Sequence, residues 1–352
     1  MHTPEWSLPV SDSVPQPVVS VVLPVRNGAA TVAAAIQCIL NQTLAEIELI
    51  AVDDGSQDGT TEILRRHAER DPRVRPLFRP AEGIVPALNA GIEHARGDLI
   101  ARMDCDDVCA PERLQRQAEF LEERLEVGVV GSLVAFGGDR LRQAGYAAYV
   151  DWINSLVTPE QISRNRFVES PLAHPSVMFR RHCLEVGGSY RDGAFPEDYE
   201  LWLRWLQAGI RFGKVPATLL TWNDPPDRLS RTHDRYSMTA FYSCKAEYLS
   251  RWLAVHNPHH PHILLWGSGR LTRKRARLLT DQGIEITGYI DIDPRSIGQV
   301  IHGRPVLSPE QLPPPADAFV VSYVANRGAR DDIRRRLKGA GFEELTHFIM
   351  AA

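Results

Sequence analysis

Residues able to do chemistry gather in four short segments of this 352-residue chain. In one of them, Gly97-Asp98-Leu99-Ile100-Ala101-Arg102-Met103-Asp104-Cys105-Asp106-Asp107, an apolar strand runs straight into three carboxylates. Side chains alternate along a strand, which puts Asp104 and Asp106 on one side and Asp107 on the other. Two carboxylates converging at a sheet edge repel unless a cation lies beside them. Hard oxygen ligands suit Mg²⁺ or Mn²⁺, ions that keep waters and coordinate phosphates. Asp107 reads instead as a surface acid or the cap of a helix opening near Pro111. A second segment, Val52-Asp53-Asp54-Gly55-Ser56-Gln57-Asp58-Gly59-Thr60, sets two adjacent acids at a strand end. They read either as a polar turn or, since adjacent acids add little to folding there, as recognition of a base or ribose by acceptor oxygens. Asp58 reads as a helix cap, with Glu62 in the first turn. The third segment, Pro24-Val25-Arg26-Asn27-Gly28, ends the first strand, and the fourth, Phe195-Pro196-Glu197-Asp198-Tyr199-Glu200-Leu201-Trp202, opens a helix with acids. Asp198 is also a favoured cap residue at such a position.

These segments need a scaffold. Val18–Val25 reads as a buried strand, Ala29–Leu40 as a helix, Glu48–Val52 as a strand, Gly59–Glu69 as a helix and Leu99–Met103 as a further strand. Pro111 opens the next helix, with Leu114, Ala118, Leu121 and Leu125 in one apolar stripe. Strands alternating with helices signal an α/β fold with a mostly parallel sheet. The turns after the first two strands then lie at its carboxyl edge, where open sheets bind ligands. Residues 145–167 read as helix and loop, Val177–Phe179 as a strand and Asp198–Gln207 as an amphipathic helix stopped by Gly209. The His/Pro-rich stretch Val255–His262 marks the start of a second α/β unit. That unit has strands at His262–Trp266, Glu285–Ile290 and Phe319–Ser322, a basic helix after a Gly-Ser-Gly turn, and a closing helix at Asp331–Gly339. The expected division is a loose arm over 1–17, a first domain over 18–250, a linker over 251–261 and a small second domain over 262–352.

Composition narrows the function. Hydrophobic residues at 43% and charged residues at 24% describe a globular protein with a real core. Lys+Arg 40 against Asp+Glu 44 leaves a formal charge of −4, so no overall field attracts nucleic acid. Five cysteines in so long a chain build no disulfide framework and fit a reducing, cytoplasmic compartment. The most apolar run, Val127–Phe136, is about half the ~20 residues needed to cross a bilayer.

Taken together, VSVVLPVRNG, AVDDGSQDGT, the Ala87–Gly91 run ALNAG and ARMDCDD-x3-PERL resemble family 2 glycosyltransferases of the GT-A fold, in order and spacing over Val18–Arg116 and more weakly to about residue 235. The resemblance implies a nucleotide-diphosphosugar donor, usually a UDP-sugar, and single displacement with inversion at the anomeric carbon. By position it implies that Pro24, Arg26 and Asp54 line the base pocket and that Asn89 borders the donor. Asp104 would meet the ribose or sugar, and Asp106 would hold Mn²⁺ or Mg²⁺ on the diphosphate, with His233 as a further metal ligand. Asp198 matches the family's base in an E-D motif, with Glu197 as the fallback. A helix N-terminus depresses a carboxylate pKa, whereas a base works best with its pKa near the working pH. His174, in Pro171-Leu172-Ala173-His174-Pro175-Ser176, resembles a stretch on the acceptor side, and Trp202 is placed either to stack on a sugar or to fill the core.

In the second unit the stretch IxGYIDIDP…G…IHGRPVLSPEQL resembles the Rossmann-like domains found in sugar-modifying acyltransferases and at the ends of some methyltransferases. Asp291 stands where a ribose-binding acid is expected after Gly267-Ser268-Gly269, but Thr272 breaks the glycine fingerprint. Two basic lines, Arg270/Arg273/Lys274/Arg277 and Arg330/Arg334/Lys338, are either solvated helix faces or a contact with anionic lipid or a phosphate-bearing acceptor. The reading that follows is a cytoplasmic enzyme, peripheral at the inner face of a membrane if it works there. It would move sugar to a glycan or lipid-linked acceptor in cell-surface polysaccharide synthesis. A sugar nucleotidyltransferase would need a phosphate loop richer in Gly and Lys after the first strand. An inactive nucleotide-sugar binder would be expected to lose Asp104, Asp106 or Asp198.

Overall fold

The computed structural model describes residues 16–225, 228–326 and 328–352, so most of the arm expected over 1–17 lies outside the described residues. Val19–Val25 forms β1, a run buried at every position, as a strand covered on both faces of a parallel sheet must be. After it come α1 (Val32–Leu40), β2 (Ile47–Asp54), α2 (Thr60–Arg70), β3 (Val74–Arg79), α3 (Ile84–His94) and β4 (Leu99–Arg102). The chain continues through β5 (Val108–Cys109), α4 (Arg113–Glu123), β6 (Val127–Phe136), α5 (Ala144–Asn154) and α6 (Pro159–Asn165). Then follow β7 (Met178–Arg180), α7 (His182–Gly187), α8 (Glu197–Gln207), β8 (Arg211–Trp222), the short α9 (Leu229–Thr232) and the long α10 (Met238–His256).

The first sheet has eight strands in the order β3-β2-β1-β4-β7-β6-β8-β5. β1 pairs in parallel with both β2 and β4, so the chain leaves β1 in one direction and returns on its other side. That reversal opens a crevice at the carboxyl ends of β1 and β4, the place where such sheets take ligands. The two loops touch there: a Cβ on Gly28 would stand 3.2 Å from Cys105 Sγ and 2.7 Å from Val25. On one face of the sheet Val32, Ile36, Ile39, Leu64, Leu114 and Leu121 fill the core, and on the other Val85, Leu88, Leu201, Trp202 and Trp205 do. The apolar stripe expected to include Leu125 stops earlier, because α4 ends at Glu123 and leaves Leu125 79% exposed.

The remaining residues build a second sheet from β9 (His262–Trp266), β10 (Glu285–Ile290), β11 (Val300–Ile301), β12 (Arg304–Leu307), β13 (Val320–Ser322) and β14 (Phe348–Met350), in the order β11-β12-β10-β9-β13-β14. Helices α11 (Arg270–Thr280) and α12 (Ala329–Gly339) cross between its parallel strands. The first half of the stretch expected as a linker is the end of α10, whose Trp252 and Leu253 are buried. They share one core with Tyr199 and Leu203 of α8 and with Ile263, Leu265 and Val321 of the second sheet. Lys245 of α10 is buried across the same junction, donating to the Val168 carbonyl at 2.9 Å and the Ala351 carbonyl at 2.8 Å. An apolar seam of this kind holds the second sheet to the helix that begins with Glu197 and Asp198. Among the described residues no helix is long and apolar enough to cross a membrane.

Candidate active site

A cleft of about 1320 Å³ opens at the carboxyl edge of the first sheet, above the roughly 300–1,000 Å³ usual for one small ligand. Pro24, Arg26 and Asp54 line one end of it. Asp54 accepts from the Glu82 amide at 2.8 Å and from the Gly83 amide at 3.0 Å, and Arg26 reaches it at 3.9 Å. This carboxylate therefore also shapes the 80–83 loop that borders the cleft. Asp53 is not a ligand group: it accepts from the Ser56 amide at 2.9 Å and Thr61 Oγ1 at 2.5 Å, and so serves its own turn. Asp58 accepts from the Ala29 amide at 2.9 Å and from Thr60, which ties the loops after β1 and β2 together. Asn89, expected to border the donor, is not among the residues lining the cleft; its side chain is bonded to the Tyr190 carbonyl at 3.0 Å and amide at 3.2 Å.

The strand leading to the acids ends at Arg102, so residues 103–107 form a turn and strand alternation no longer applies. The expected separation of Asp107 from the pair is overturned for that reason. Asp104, Asp106 and Asp107 each present an oxygen within 4.8 Å of the others. Arg102 is ion-paired with Asp104 beneath them. Asp107 is buried, with one oxygen accepting from the Asn223 amide at 2.8 Å and Oδ2 without a partner. Burial, then the charge of Asp104, pushes Asp106 up to about 6, and the same causes together with Asp106 raise Asp107 well above the carboxylate range. Crowded acids held this way, with one buried oxygen unclaimed, fit a divalent cation bound by oxygen ligands. His233 lines the cleft but is exposed, takes a bond from the Arg235 amide at 3.2 Å on Nδ1, and is not in the converging group.

Asp198 stands in the first turn of α8 with a partly accessible face on the cleft. Its Oδ1 accepts from the Tyr199 amide at 2.7 Å. Burial, then the neighbouring Glu197 charge, pushes its pKa up to about 7, which reverses the depression expected from a helix start. Two amides at a helix end do not offset the loss of water around two adjacent acids. Glu197 is more engaged: Tyr236 Oη donates to it at 2.6 Å and Arg235 lies 3.8 Å away. His174 lines the cleft with Nε2 2.6 Å from Tyr190 Oη, and burial lowers its pKa far enough to keep it neutral.

Trp202, offered as a sugar platform, is fully buried and packs edge-on against His174, Trp205 and Phe212. It supports the cleft from below. Trp202→Ala should cost about 3–5 kcal/mol of stability through the cavity it leaves, read as a lower midpoint in urea titration. A loss under about 1 kcal/mol would place the indole outside the core.

Several cleft residues escape motif reading because they sit far along the chain. Arg228 is held over Trp222 at 4.4 Å and bonded to Tyr146, and its charge faces Asp104, Asp106 and Asp107. Arg231 pairs with Asp224 beside it. Tyr146, Tyr149 and Phe241 line the wall toward Glu169 and Ser170.

A family model described as Glycosyl transferase family 2 matches residues 20–187. The O-antigen biosynthesis glycosyltransferase WbnJ of Escherichia coli is 30% identical over 240 residues, covering 67% of this chain and 89% of its own. The amylovoran biosynthesis glycosyltransferase AmsE of Erwinia amylovora is 31% identical over 193 residues, 53% of this chain and 67% of its own. The solved structure of S. aureus TarS 1–349 in complex with UDP-GlcNAc superposes with a TM-score of 0.50 over 76% of this chain and 81% of that 1–349 chain, at 16% identity, a likeness of fold.

Proposed function

The chain belongs to glycosyl transferase family 2 and is a glycosyltransferase of GT-A fold; from that premise we propose that it is an inverting, metal-dependent enzyme of polysaccharide synthesis that moves sugar from a nucleotide diphosphate to an acceptor hydroxyl. The observation that carries this reading is the pairing, in one cleft, of three converging carboxylates with a carboxyl held near neutral pKa. Pro24, Arg26 and Asp54 hold the nucleotide base, the carboxylate suited to accept from a ring N–H and the guanidinium to donate to a ring carbonyl. Asp104, Asp106 and Asp107 would hold Mn²⁺ or Mg²⁺, which when bound supplies Lewis-acid stabilisation of the departing diphosphate. Arg228 adds a fixed positive charge on the same side.

Asp198 takes the proton from the acceptor hydroxyl. That oxygen forms its bond to the anomeric carbon as the carbon–phosphate oxygen bond breaks, and the nucleoside diphosphate leaves with the electron pair. One displacement inverts the anomeric centre. A pKa near 7 lets Asp198 be deprotonated at neutral pH while remaining basic enough to accept the proton. Neutral His174 and the aromatic wall of Tyr146 and Tyr149 suit an uncharged sugar acceptor.

The test is a panel of nucleotide sugars with Mn²⁺ or chelator, scored for released nucleoside diphosphate. Metal-dependent release from one or two donors is expected. Release of inorganic pyrophosphate from a sugar phosphate and a nucleoside triphosphate would favour a nucleotidyltransferase, and tight binding without turnover of any donor and acceptor would favour an inactive binder.

A further inference from the structure

Both basic lines of the second unit were candidates for a surface contact, and the structure separates them. On α12, Arg334 pairs with Glu344 at 2.9 Å, Arg335 with Asp332 at 3.0 Å and Arg336 with Asp332 at 2.8 Å. Arg334 of that line is therefore paired with an acid, as are its helix neighbours Arg335 and Arg336. Helix α11, with the sequence RLTRKRARLLT, contains no acid at all. Its Ala276 and Leu279 are buried, and Arg275 lies over Tyr242 of α10 at 4.7 Å. Arg270, Lys274 and Arg277 point away from that packing, are exposed, and form no ion pair among the described residues. In a chain of net charge −4, this is a local concentration of free cations against the overall sign.

Two exposed apolar side chains lie at the same edge of the second sheet. Leu271 is 60% exposed and Ile292 is 58% exposed. They follow the adjacent parallel strands β9 and β10, so both lie at the carboxyl edge of the second sheet. Free cations together with exposed aliphatic side chains match an anionic lipid surface, whose headgroups take the charges while the aliphatics enter the interface. Helix α11 packs on α10, whose Phe241 lines the cleft.

We propose that the exposed face of α11, with Arg270, Lys274 and Arg277 next to Leu271 and with Ile292 at the same sheet edge, docks the enzyme on an anionic phospholipid membrane. The second sheet is then the docking part of the enzyme, fastened to α8 and α10 by a shared core. The docking stands independently of which donor or acceptor the cleft takes.

The experiment is co-sedimentation of the full chain with vesicles of phosphatidylcholine alone or with about one third phosphatidylglycerol, at low and high salt. A Lys or Arg near an anionic surface contributes about fivefold to partitioning, so changing Arg270, Lys274 and Arg277 together to Gln should weaken binding roughly a hundredfold. A control variant with Arg335, Arg336 and Lys338 changed to Gln loses the same formal charge and should bind as wild type does. Wild-type binding should fall as salt screens the contact, and donor hydrolysis and the melting curve should be retained in both variants. Equal weakening of the two variants would reduce the effect to net charge and overturn the proposal. So would unchanged binding of the α11 variant, or wild-type retention on RNA or polyphosphate with none on the anionic vesicles.

Discussion

Asp106→Asn is expected to reduce transfer by about a thousandfold or more while leaving the protein folded. Two unit charges about 4 Å apart interact by about 4 kcal/mol at an effective dielectric near 20, and a loss of that size is about three powers of ten if felt in the transition state. The variant tests more than activity. In the metal-free protein Asp106 titrates near 6, above its unfolded value of 3.8, because it is buried beside Asp104. Its ionised form therefore opposes folding: the stability present below the unfolded pKa is lost as pH rises through about 6. Without metal, Asp106→Asn should be at least as stable as wild type at pH 7.5, and the difference should vanish as pH falls toward 4. Added Mn²⁺ should reverse the order, because a ligand that binds only the native state raises its stability and the variant lacks one ligand. Thermal melts at two pH values, with Mn²⁺ and with chelator, read this directly. Full transfer activity of the variant in chelator would remove Asp106 from the metal site, and a destabilised metal-free variant at pH 7.5 would contradict the crowding of the three acids.

The residues of this site divide by how far their role depends on local sequence. Val18–Val25 and Glu48–Val52 were legible as strands because a strand buried on both faces is a continuous apolar run. Arg26, Asp54, Asp104 and Asp106 were legible with them, since each lies within a few residues of such a strand's end. Strand β8 was not, because its twelve residues mix Arg211, Lys214 and Pro216 with apolar ones, and the burial of Lys214 depends on distant packing. Asp107 was misplaced for a simple reason: alternation was extended past Arg102, where the strand stops. Trp202 shows the opposite limit, since one helical turn from Asp198 is a statement about spacing and not about which side of α8 meets the sheet. The role of Arg228 rests on the folding of a segment some 120 residues from the acids it faces, and no spacing within the chain signals that. The linker assignment failed in part because the His/Pro-rich stretch is real, but α10 runs up to it and buries Trp252 and Leu253 on the way.

Asp198→Asn is expected to lower the rate of transfer by about 10²–10⁴, the usual worth of a general base, with nucleotide affinity measured by calorimetry unchanged. The residue next to it makes the assignment testable. Glu197 already accepts from Tyr236 and lies near Arg235, whereas one oxygen of Asp198 is bonded only to the Tyr199 amide. The oxygen left over is the one able to take a proton. Since burial and Glu197 push Asp198 up to about 7, the base form is lost as pH falls below that value. For the wild type, kcat/KM measured with saturating metal should therefore rise about tenfold per pH unit up to about 7 and level off above it. The residual rate of Asp198→Asn should lack that inflection. Glu197→Gln removes the neighbouring charge that helps raise Asp198, so its inflection should move to lower pH while transfer is largely kept. If Glu197→Gln abolishes transfer and Asp198→Asn keeps both its rate and its inflection, the proton goes to Glu197 and the bond from Tyr236 becomes part of the base's tuning. An inflection that stays near 7 in Asp198→Asn at full rate, with Glu197→Gln also active, would place the titrating group on neither acid.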